Sequence, residues 1–123
     1  MIKKFSYAFS LFVFLYVNLN AQTWSALNAG VNSTVYAIAG DTVNNLLYAA
    51  GSFTDASGVA VNRVAQWDGT NWSDVGGGFN NNVNALYFKN GILYAGGDFT
   101  TAGGTPAMYA AQWNGTAWSA MGT

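Results

Sequence analysis

The chain repeats itself. Leu47-Tyr48-Ala49-Ala50-Gly51-Ser52-Phe53-Thr54 returns as Leu93-Tyr94-Ala95-Gly96-Gly97-Asp98-Phe99-Thr100, and Gln66-Trp67-Asp68-Gly69-Thr70-Asn71-Trp72 returns as Gln112-Trp113-Asn114-Gly115-Thr116-Ala117-Trp118. Each of these landmarks is displaced by 46 residues. A period of about 20–50 residues marks a chain built from one supersecondary unit, which buries its apolar face only by stacking on a neighbour. Whatever fold is reached must therefore contain the same set of elements twice.

Each period reads as four short strands. Val35, Ala37 and Ala39 in one copy, and Val83 and Ala85 in the other, alternate with their neighbours as a strand requires. The second copy then turns through Asn90-Gly91, a dipeptide suited to a type I′ hairpin because both central residues need positive φ. The first copy carries a loop two residues longer, Gly40 to Asn45, so this part of the repeat is displaced by 48 residues. Insertions belong in hairpin loops, which supports strands on either side. The second strand is Leu46 to Gly51 and Ile92 to Gly97, ending where missing side chains let backbones approach. A loop follows, Phe53 to Gly58 and Phe99 to Gly104, whose Phe is expected to plug the space between units. The third strand, Val61 to Trp67 and Ala107 to Trp113, is expected to reach the fourth through a two-residue turn, Asp68-Gly69 or Asn114-Gly115. The fourth runs from Trp72 to Gly76 and from Trp118 to Gly122. No stretch after the leader reads as a helix. These features predict an all-β chain of two four-stranded antiparallel β-propeller blades, residues 31–78 and 79–123.

Ahead of them, Met1 to Ala21 reads as a secretory signal peptide. Lys3 and Lys4 precede an apolar run from Phe5 to Val17, too short to span a bilayer, and cleavage is expected before Gln22. Residues 22–30 read as an extra outer strand of an incomplete blade, since Trp24-Ser25 matches Trp72-Ser73 and Trp118-Ser119. The expected location is outside the cell or on its surface, with no stable membrane span after cleavage.

At this level of detail the repeats resemble kelch-like β-propeller blades of secreted and surface bacterial proteins, and are also similar to repeats of a fungal cortical polarity marker. The resemblance rests on the glycine pair closing the second strand (Gly96-Gly97, with Ala50-Gly51 in the first copy), the aromatic of the third strand (Trp67, Trp113) and the Trp opening the fourth (Trp72, Trp118). It covers Gln22 to Thr123 and implies display and binding rather than any particular ligand. A closed propeller needs typically 4–8 blades, so two blades make an incomplete one. The completion expected is a longer repeat protein of which this is the N-terminal part; the alternative is self-assembly, for which three chains giving six blades is the obvious ring.

Charge narrows the function. Charged residues make up only 7% of the chain, against 51% hydrophobic and 16% aromatic. Without the leader, Lys89 and Arg63 oppose five aspartates, a net charge of −3. Nucleic acid is therefore not an expected partner, because no basic footprint exists to displace counterions. The sequence has no His, no Cys and no Glu, which removes the usual general bases, the Ser-His-Asp arrangement and His- or Cys-based metal sites. The expectation is a protein that is not an enzyme and uses no cofactor or metal. Calcium has only weak support, from Asp98 with Thr100 or Asp55 with loop carbonyls, for want of a dense Asp-x-Asp spacing. Gly76-Gly77-Gly78 lacks the lysine and helix of a phosphate loop and reads as a linker. Asn32-Ser33-Thr34, Asn71-Trp72-Ser73 and Asn114-Gly115-Thr116 fit the N-glycosylation acceptor pattern, relevant only in a eukaryotic host.

Candidate ligand-binding residues are Trp67, Trp72, Trp113, Trp118, Asp55 and Asp98. Aromatic faces stack on sugar rings, and Asp can take hydroxyls. The competing reading is that each Trp pair packs across its hairpin and each Asp serves a turn. The function expected is a binding or scaffold module for a protein or glycan. The alternative is a two-blade carbohydrate-binding lectin that homo-trimerises into a six-bladed ring.

Overall fold

The computed structural model describes residues 27–122, which form an all-β structure with no helix among them. The expected leader and residues 22–26 of the expected extra strand lie outside the described residues. Leu27 to Gly30 form a turn.

The first sheet has the order β1-β2-β5-β6, with β1 Val35–Asp41, β2 Leu46–Gly51, β5 Val64–Trp67 and β6 Trp72–Asp74. The second repeats it as β7-β8-β11-β12, with β7 Val83–Lys89, β8 Ile92–Gly97, β11 Ala110–Trp113 and β12 Trp118–Ala120. All pairings are antiparallel. Both sheets carry a bulge at the same place, between Val35 and Ala37 and between Val83 and Ala85. One extra residue there shifts the pleat, so Val35 and Ala37 are not simple successive members of one face.

Three local expectations are corrected. The Phe-containing loops fold into miniature hairpins, β3 Asp55–Ala56 with β4 Val59–Ala60 and β9 Thr101–Ala102 with β10 Thr105–Pro106. The third strands begin three residues later than expected because Arg63 and Tyr109 adopt left-handed backbone, φ 68° and 67°. That conformation turns each peptide out of the ladder: Arg63 N–H donates to Phe53 O at 2.9 Å, and Tyr109 N–H donates to Phe99 O at 3.0 Å. The turn into the fourth strand spans four residues, Asp68 to Asn71, because Trp67 pairs directly with Trp72. The Asp68 carboxylate accepts from the N–H groups of Thr70 and Asn71, both at 2.8 Å, and Asn114 does the same for Thr116 and Ala117. The two-residue Asn90-Gly91 hairpin forms with φ 52° and 82°, as its sequence predicts.

The two sheets share one core. Ala39, Tyr48, Ala50 and Val64 of the first sheet cluster with Leu93, Ala95, Trp113 and Trp118 of the second, with Leu86 and Phe88 packed alongside. The linker contributes Val75 and Phe79 to the same cluster. Phe88 stacks on Tyr48 with ring centroids 5.9 Å apart. The other face of the first sheet forms a second cluster of Leu47, Ala49, Ala65, Trp67 and Trp72, with Phe53 beneath them. Fully burying one such side chain contributes about 1.5–3 kcal/mol, so the dozen or so large groups here outweigh any single polar contact.

Candidate functional site

The predicted tryptophans come together in pairs. Trp67 and Trp72 have ring centroids 5.3 Å apart, and Trp113 and Trp118 are 5.4 Å apart. All four are buried. The indole N–H of Trp72 donates to Leu27 O at 3.0 Å, and that of Trp118 donates to Val75 O at 2.8 Å. Trp113 rests on Gly76: a Cβ at that glycine would run into its ring. Phe79 covers Trp118 edge-on at 4.6 Å. Each pair therefore locks the segment that precedes its sheet onto that sheet, and its rings are buried in protein.

A second repeated device sits at the end of the sheets where β1 and β7 begin. Asn32 Oδ1 accepts from the N–H groups of Thr54 and Asp55, at 2.9 and 3.1 Å, while its amide donates to Thr54 Oγ1. Asn80 repeats all three bonds to Thr100 and Thr101. The Asn thereby clips the loop after the second strand to the segment before the first. Directly below, Phe53 and Phe99 are fully buried. Phe99 packs on Phe79 at 4.3 Å. Sequence reasoning named Asn32 only within a glycosylation acceptor pattern and did not foresee that it and Asn80 clip these loops. Their place in both copies, two residues before Thr34 and Asn82, was the available signal.

Asp55 and Asp98 lie on this same end, one in each unit, and are not equivalent. Asp55 Oδ1 accepts from Gly58 N–H at 2.8 Å, closing the miniature hairpin. Asp98 is exposed, and its backbone N–H donates to Asn82 O at 2.9 Å. The carboxylate that burial does single out is Asp41, which was not among the predicted site residues. It accepts from the backbone N–H groups of Val43 and Asn44 and from the Asn44 amide, at 2.7–3.0 Å. Burial pushes its pKa up, but these hydrogen bonds together hold it below the ordinary carboxylate value. Burial raises the Tyr48 phenol, and the Asp41 charge raises it further. Asp41 thus caps the longer hairpin loop that the second copy lacks.

Sequence reasoning also passed over an exposed apolar surface on the outer face of the second sheet. Tyr87 and Tyr94 are paired there across β7 and β8, with rings stacked at 6.3 Å. Tyr109, Met108 and Met121 are also exposed. Among the described residues no group of three or more acidic, His or Cys side chains gathers, and no helix is long and apolar enough to cross a membrane. No family model matches the chain, and comparison with curated proteins and with solved structures likewise finds no match.

Proposed function

We propose that the chain is a non-enzymatic segment of a kelch-like β-propeller, exported to the cell surface or medium, where it acts as a binding or scaffold module. The observation that carries this reading is the strand-for-strand repetition of one four-stranded unit whose chemistry is used for holding units together. The tryptophans, the asparagine clips and the glycines all serve packing. That leaves the loop end, with Asp98, Asn81 and Thr100 exposed, as the surface on which a protein or glycan would be recognised. The absence of His, Cys and Glu from the sequence supports binding over catalysis. The leader pattern supports export.

Fractionation of expressing cells tests this reading. The chain is expected at the surface or in the medium, shortened by the leader. Full-length chain retained in the cytoplasm contradicts it. On arrayed glycans and surface-protein fractions, the double substitution Asn81→Ala, Asp98→Ala is expected to abolish capture without altering the β circular dichroism. Capture that survives this change places recognition elsewhere.

A further inference from the structure

The outer face of the second sheet is matched, position by position, by a face of the first sheet that is already covered. Ala39 and Tyr48 of the first sheet and Val75 just after β6 are 9%, 3% and 1% exposed, because the second sheet packs into one core with them. The repeat equates these residues with Tyr87, Tyr94 and Met121, and there Tyr87 is 58% and Met121 41% exposed. Across the second sheet the row reads Tyr87–Tyr94–Gln112–Ser119 and contains no charge.

The two units also differ in a compensating way. In the covered junction the receiving sheet offers a small residue, Ala39, and the arriving sheet fills the space with Phe88 stacked on Tyr48. On the second sheet the receiving position holds Tyr87 in place of Ala39. On the first sheet the arriving position holds Gly40 in place of Phe88, and Gly40 is exposed. Bulk gained on one side is matched by bulk lost on the other. Close packing rewards such volume-conserving exchange and penalises two large groups meeting.

We infer that the outer face of the second sheet binds a second copy of this chain, receiving the β1 face that carries Ile38 and Gly40. The contact continues the stack of sheets already formed inside one chain. It is head-to-tail, so it propagates, closing a ring where its rotation allows and giving an open filament where it does not. The inference rests on the blade reading given under Proposed function.

The test is the solution mass of the full-length chain by light scattering, with circular dichroism on the same peak. The wild type is expected at a multiple of the chain mass. Gly40→Phe sets two large groups against each other and is expected to weaken association by about tenfold or more. Combining Gly40→Phe with Tyr87→Ala recreates the Ala39/Phe88 junction and is expected to restore the wild-type mass. Tyr87→Arg, at an exposed position, is expected to give a folded single chain, and it tests the same contact if Gly40→Phe fails to fold. A folded wild-type monomer overturns the contact and leaves the blade reading standing. Wild-type mass in Gly40→Phe overturns it in favour of two tyrosine faces meeting each other. A wild type without β circular dichroism overturns both readings.

Discussion

Gly96 and Gly97 stand side by side in β8 and meet different demands. A Cβ on Gly97 would strike the backbone carbonyl of Asn82, and a Cβ on its counterpart Gly51 would strike that of Thr34. A Cβ on Gly96 would meet Tyr109 O at 3.7 Å, ordinary contact. This explains why the first copy has Ala50 where the second has Gly96: only the second glycine of the pair is compelled. Gly97→Ala should therefore lower stability by about 1–3 kcal/mol, whereas Gly96→Ala should fall within about 1 kcal/mol of wild type. Urea midpoints of the two variants check this, and equal losses would contradict it. Asn80 makes a comparable case through polar contacts. Asn80→Ala removes three hydrogen bonds and should destabilise by about 1–3 kcal/mol, while Asn81→Ala beside it should change little. A similar midpoint for both would show that the clip contributes nothing.

The hairpin loops show how far local sequence decides an element. Leu46–Gly51 and Ile92–Gly97 were legible end to end, because an unbroken apolar run closed by glycine recurs in both copies. Asn90-Gly91 was legible too, since its requirement for positive φ is met by few residue pairs. Asp68-Gly69 misled because the Asp side chain mimics a backbone turn, giving a four-residue loop from the same dipeptide signal. Arg63 and Tyr109 were illegible: nothing in an Arg or a Tyr announces left-handed backbone, and tertiary hydrogen bonds impose it. The same limit applied to the tryptophans. Their pairing could be read across the hairpin, but the carbonyl partners of Trp72 and Trp118 lie 45 and 43 residues away.

Asp41 makes the longer hairpin loop responsive to pH, because its charged carboxylate accepts three hydrogen bonds there. Its pKa is lower folded than unfolded, so its stabilising contribution is fully present above the unfolded value of about 4. It is lost as pH falls through the lower folded value. The stability gap between wild type and Asp41→Asn should accordingly be widest near neutrality and narrow as pH drops below about 4. Denaturation midpoints of both proteins across that range check it, and a constant gap would assign Asp41 a role independent of its charge.

Across the molecule, two sheets of one repeat share a single core. Nothing about that core is local. Residues displaced by 46 or 48 positions occupy equivalent places in their sheets yet have different neighbours, because one sheet is covered where the other is not. Tyr48 and Phe88 touch only if the sheets stack face to face. A double-mutant cycle with Tyr48→Ala and Phe88→Ala measures that contact directly. Stacking predicts that the two losses are non-additive, with a coupling of about 0.5–1.5 kcal/mol. Strict additivity would mean the rings do not meet and the two sheets do not form one core.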